Sequence, residues 1–101
     1  MSERDLLATA EAMIFGARAD EYGHPADDFR IIRDLWSAYL KGLADIRDET
    51  RLETADVAAL MVLLKLARIA RSPWFWDSWV DIAGYAGCVG RIMAVTGRGP
   101  D

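Results

Sequence analysis

The order of apolar and polar positions along this chain predicts four helices and no strands. Leu6, Leu7, Ala10, Met13, Ile14 and Ala17 recur at helical spacing and form one apolar stripe. Ser2 is a preferred N-cap for that segment, and Glu3 and Asp5 fall in its electropositive first turn. Gly16 weakens its middle, and Tyr22-Gly23-His24-Pro25 ends it. Pro25 cannot continue a helix but suits the first position of the next.

A second helix is predicted from Pro25 to Lys41, closed by Gly42. Phe29, Ile32, Leu35, Trp36, Tyr39 and Leu40 make its buried face, and Arg30, Arg33, Asp34, Ser37 and Lys41 its wet one. Asp45-Ile46-Arg47-Asp48-Glu49 reads as a solvated loop. Thr50-Arg51-Leu52-Glu53 matches a capping box and starts the third helix near residue 51, with Thr54 as the alternative start. That helix is apolar almost all round from Val57 to Leu64, as expected of a central helix, and Ser72-Pro73 stops it. The last helix starts between Trp74 and Ser78 and reaches Val95 or Thr96, with Gly97 as its cap and a frayed tail beyond. Ala83, Gly87, Gly90 and Ala94 form a stripe of small residues that lets another helix approach closely. The expected fold is a compact all-α bundle of four helices in one domain.

Composition narrows the function classes. The 101 residues are 52% hydrophobic and carry a net charge of −4, which fits one packed domain and argues against a binder of duplex nucleic acid. Cys88 is the sole cysteine and His24 the sole histidine, so intramolecular disulfides, cysteine–zinc clusters and multi-histidine metal sites are excluded. The N-terminus lacks the basic and apolar regions of a secretory signal, and the longest apolar run is too short to span a bilayer, so the expectation is a cytoplasmic protein without a membrane partner. Four tryptophans and the glycine-rich stripe give more sticky surface than one core needs, so a homo-oligomer is expected, a dimer or a tetramer.

Polar residues in apolar surroundings mark the candidate chemistry. Lys65 and Arg68 lie three apart on one helix face and can point at one anion; they also read as snorkelling cations near a helix C-terminus. Asp77 and Asp81 share a face, with Tyr85 one turn further on. A divalent metal such as Mg²⁺ relieves their repulsion, as does a helix cap at Asp77 with pairing of Asp81 to Lys65 or Arg68. Either way the two aspartates and two cations converge. Glu53 and Asp56 form an acidic pair in a first helical turn, either a second set of metal ligands or a response to the helix dipole. Tyr22 and His24 sit in a tight loop, where the histidine is a cap, a surface group or a contact to a ligand. Trp74-Phe75-Trp76 with Trp79 serves either base stacking or a core or subunit interface.

Tyr22-Gly23-His24-Pro25, Phe29, Ile32 and Leu35-Trp36-Ser37-Ala38-Tyr39-Leu40 resemble the front half of a short family of phages and actinobacteria, a domain of unknown function. Asp56-Val57-Ala58, Leu60-Met61, Leu64-Lys65, Ala67-Arg68, Asp77 and Asp81-Ile82-Ala83-Gly84-Tyr85-Ala86 resemble its back half. The same order of motifs is more loosely similar to the nucleotide-modification-associated and MazG-like all-α phage proteins. The latter resemblance implies Mg²⁺-dependent hydrolysis of a nucleoside triphosphate to monophosphate and pyrophosphate by a dimer or tetramer, with metal held by ExxE and ExxD motifs. Glu53 and Asp56 fit ExxD. The preceding helix offers Asp27, Asp28 and Asp34 but no ExxE, so Asp77 and Asp81 substitute for it.

The leading expectation is therefore a hydrolase in which Asp77 and Asp81, with Asp56 and Glu53, hold Mg²⁺ and activate water. Lys65 and Arg68 neutralise the phosphates, while Tyr22, His24 and Tyr85 complete the substrate site. The alternative is a non-catalytic sponge that sequesters a nucleotide immune signal through the same cations without metal. A third is a small helical interaction protein. The missing ExxE favours binding over cutting, and the resemblance to a hydrolase group favours cutting.

Overall fold

The computed structural model describes residues 2–16, 23–48 and 51–99. It is all-helical, with four helices and no strand among the described residues: α1 (Glu3–Phe15), α2 (Pro25–Arg47), α3 (Thr54–Arg71) and α4 (Trp76–Thr96).

Helix α1 begins as its sequence dictates. The Ser2 hydroxyl accepts the Asp5 backbone N–H at 3.2 Å and the Asp5 carboxylate accepts that of Ser2 at 2.9 Å, a reciprocal capping box. It stops at Phe15, so Gly16 is its C-cap and not a weak point in its middle. Leu6, Leu7, Met13 and Ile14 all remain exposed, and no residue of α1 is buried. Ala17 and Tyr22 lie outside the described residues.

Helix α2 runs six residues past the expected end at Lys41. Gly42 is an ordinary interior position, and its cost of about 1 kcal/mol relative to alanine is outweighed by the contacts of the next five residues. Leu43 is buried, Lys41 and Asp45 pair at 3.1 Å across one turn, and Arg47 reaches a buried carboxylate. The segment read as a solvated loop is thus mostly the last turn of α2, which closes at Asp48 in the left-handed region (φ 53°). Ile32 is buried on the core side, with Leu35, Trp36 and Tyr39 half-buried, whereas Phe29 and Leu40 turn out to be exposed.

Helix α3 starts at Thr54, with Glu53 as N-cap, and not near residue 51. Thr50 is outside the described residues, and Arg51 and Leu52 are not helical. The Asp56 carboxylate accepts the Glu53 N–H at 2.7 Å, which moves the reciprocal capping geometry one turn along the chain. Ser72 ends the helix as expected, and Gly97 caps α4 with φ 71°.

Helix α3 is central: both α2 and α4 pack on it. The Trp36 indole N–H donates to the Leu60 carbonyl at 2.7 Å and pins α2 to α3. All four expected helices are present, with the main packing made by α2, α3 and α4, and no residue of α1 is buried. The fully buried apolar side chains among the described residues are only Ile32, Leu43 and Ala67, and the long axis of the molecule is 47 Å.

Candidate functional site

The C-terminal half of α3 gathers the charges. The Lys65 ammonium meets Asp81 of α4 at 2.8 Å, and the Arg68 Nε lies 3.7 Å from a carboxylate oxygen of Asp28 on α2. Both cations are largely withdrawn from water, with side chains 17% and 19% exposed, and Asp28 is 8% exposed. Two cations and two carboxylates therefore bridge three helices. Lys65 and Asp81 come together as the spacing implies. Arg68 turns to the opposite neighbour, and Asp77 stays exposed with no ion pair to a described residue. Tyr85 is half-buried one turn beyond Asp81.

The loop before α2 comes to the end of the same helix. Gly23 has φ 78°, and a Cβ there would stand 2.5 Å from a guanidinium nitrogen of Arg71, so both conformation and space call for glycine. His24 is the N-cap of α2, its Nδ1 accepting the Ala26 N–H at 3.0 Å. Beside it, Ile14, Phe15, Gly23, His24 and Pro25 line a cavity of about 400 Å³. That volume lies within the range of small-molecule sites. Tyr22 lies outside the described residues.

The acidic pair at the other end of α3 has a different occupation. Asp56 is 1% exposed; one carboxylate oxygen accepts the Tyr39 hydroxyl at 2.6 Å. The other accepts Arg47 at 2.6 Å and the Glu53 N–H at 2.7 Å. Arg47 above all, then Tyr39, hold the Asp56 carboxyl at about 2, well below its usual value. The same bond pushes the Tyr39 phenol up, because the neighbouring carboxylate opposes a second negative charge. Glu53 pairs with Arg98 at 3.1 Å, which ties down a residue expected in a frayed tail; Pro100 and Asp101 lie outside the described residues.

Magnesium needs at least one or two carboxylates free to face it. Of the four expected ligands, Asp56 is committed to the α2–α3 lock and Glu53 to Arg98, and Asp81 shares its oxygen with Lys65. No group of three or more metal-binding side chains forms among the described residues. The four carboxylates do not fit one magnesium centre.

Arg71 was passed over by sequence reasoning, and Asp28 figured there only among the acids of the preceding helix. Arg71 extends the Lys65–Arg68 spacing by another three residues, so its signal was present, whereas nothing local marks Asp28. The tryptophans of the α3–α4 corner are exposed, Trp74 and Trp76 strongly so, and build no core within this chain. No helix is long and apolar enough to cross a membrane among the described residues.

A family model described as a domain of unknown function, DUF6378, matches residues 5–93. Two curated relatives are each called Gene 55 protein. One, from Mycobacterium phage D29, is 45% identical over 91% of this chain and 55% of its own length; the other, from Mycobacterium phage L5, is 39% identical over 87% and 52%. The chain thus spans about half the length of the curated relatives it matches. No solved structure matches it.

Proposed function

We propose that this chain, which belongs to the DUF6378 family of domains of unknown function, binds a nucleotide or a closely related phosphorylated small molecule, without needing metal. The observation that carries this reading is the cavity beside Phe15 and His24, opening at the loop that backs onto Arg71. An aromatic ring and an imidazole suit the flat face of a base. Arg71 is exposed and stands one turn beyond Arg68, so a guanidinium is available to the phosphates by charge-assisted hydrogen bonds. Lys65, Arg68, Asp28 and Asp81 then act as the charged frame that fixes α3 between its neighbours. Sequestration fits this arrangement better than hydrolysis, because three of the four expected metal ligands, Asp56, Asp81 and Glu53, are engaged with other partners.

The test is equilibrium dialysis of the purified protein against mono-, di-, tri- and cyclic nucleotides, with Mg²⁺ and again with chelator. The expected result is one nucleotide retained intact, unaffected by chelator, and released by heat. Arg71→Ala and His24→Ala should each weaken retention about tenfold, the loss of one charge-assisted or stacking contact. Metal-dependent release of monophosphate and pyrophosphate would replace sequestration with the MazG-like reaction. Free passage of every nucleotide would refute both and leave the interaction-protein reading.

A further inference from the structure

The outward face of α4 is out of place on a surface exposed to water. Ser78, Asp81, Ile82, Tyr85, Val89 and Ile92 point inward, buried or half-buried. The opposite side presents Trp76, Val80, Ala83, Gly87 and Ala94, with Trp76 75% and Val80 47% exposed. Solvent-facing helix sides carry charge, and a helix apolar all round is a buried one. The only charges flanking this face are Asp77 at one end and Arg91 at the other, and neither makes an ion pair with a described residue. A Cβ built at Gly84, Gly87 or Gly90 meets nothing within 4 Å, so the chain itself brings nothing against them.

The chain as a whole exposes more surface than a folded monomer of its mass. The chain exposes 7888 Å², against the ~5,700 Å² expected for a folded monomer of its mass. The excess of about 2,200 Å² is spread over the chain, the exposed α1 included, and leaves ample area for a subunit interface at α4.

We propose that α4 pairs with α4 of a second copy, antiparallel about a two-fold axis near Gly84. Three features select this occupant. The face is bulky at its N-terminal end, at Trp76 and Val80, and small from Ala83 to Ala94, so two antiparallel copies cross closely at the glycines while Trp76 of each lies over the small Gly90–Ala94 end of the other. Asp77 and Arg91 lie seven residues on either side of Gly84 on the same flank, so a two-fold pairing sets each aspartate level with the other copy's arginine. Burial of this face also supplies the core that Ile32, Leu43 and Ala67 alone do not make. The α1 face and the loop cavity lie elsewhere on the chain, and the pairing holds whether or not a nucleotide binds there.

Sedimentation velocity over a wide concentration range, with circular dichroism on each sample, tests the pairing. The wild-type chain should sediment at twice 11.2 kDa. Gly87→Arg, which has open space in the single chain, should lower the mass twofold or leave the chain unfolded. Asp77→Arg and Arg91→Asp should each weaken association at least about tenfold by facing like charges, and the double variant should recover to near the wild type. The pairing is overturned by a helical wild-type chain of single mass, by doubled mass in Gly87→Arg, or by a double variant no stronger than either single one.

Discussion

Tyr39→Phe tests whether Asp56 locks α2 to α3 or is free to serve as a metal ligand. The substitution keeps the ring and removes one oxygen, the donor 2.6 Å from a carboxylate that is almost wholly enclosed. A hydrogen bond to a charged group contributes about 1.5–3 kcal/mol. For a domain of this length about 1 kcal/mol moves the melting temperature by about 4–8 °C, so the expected drop is about 6–24 °C at fixed protein concentration. The pH dependence gives an independent check. Asp56 titrates at about 2 in the folded chain and at its ordinary value near 3.8 when unfolded. Its contribution is therefore complete above about 3.8 and is lost as pH falls toward 2. Without the Tyr39 donor the folded value rises, the window narrows, and the acid-induced loss of stability begins at higher pH. Tyr39 itself titrates above its ordinary 10, so its contribution is present below pH 10 and fades as pH climbs through the raised value. That alkaline loss should be absent in Tyr39→Phe. Thermal melts from pH 2 to 11, monitored by circular dichroism, read both limbs. A variant with unchanged melting temperature and an unchanged acid limb would refute the lock.

Other substitutions probe the remaining contacts. Arg68→Met leaves Asp28 enclosed without its cation and should cost about 3 kcal/mol or more, whereas Lys65→Met leaves the half-exposed Asp81 to rehydrate and should cost about 1 kcal/mol or less; urea unfolding of the two variants side by side checks the order. Gly23→Ala should cost about 1–2 kcal/mol through its left-handed backbone, with some displacement of Arg71, measured by the same unfolding curve and by nucleotide retention. Ala67→Leu forces three methyl-sized groups into the most enclosed apolar position and should lose about 1–3 kcal/mol, or lower the unfolding slope if the helices separate to admit it.

The parts of the fold legible in the sequence were those that local chemistry decides. Ser2 with Asp5, Pro25 after a turn, Ser72-Pro73 and Gly97 each act within four residues of themselves, and the helix ends lie there. The misplaced ends have long-range causes. Gly42 looks like a stop because its propensity is poor, yet Leu43 and Arg47 make tertiary contacts that carry the helix past it. The face of α2 was read correctly at Ile32 and wrongly at Phe29, since periodicity gives a stripe but not which edge of it a neighbour covers.

The same distinction governs the site. Lys65 and Asp81 were brought together by helical spacing on adjacent helices, and that pair exists. Arg68 has the same spacing argument but goes to Asp28, because α3 is flanked on both sides and periodicity does not say to which neighbour a cation at the edge of a face turns. For Asp56 the ambiguity is sharper. An acid in the first turn of an apolar helix satisfies a capping rule, a dipole rule and a metal motif equally well, and nothing within one turn separates them. The deciding groups stand seventeen residues upstream, where Tyr39 presents its hydroxyl, and nine residues upstream, where Arg47 arrives only because α2 does not end at Gly42. The misplaced helix end and the local ambiguity at Asp56 thus share one cause: a two-turn extension of α2 brings Arg47 to a candidate metal ligand and gives that carboxylate the surroundings of a buried anchor.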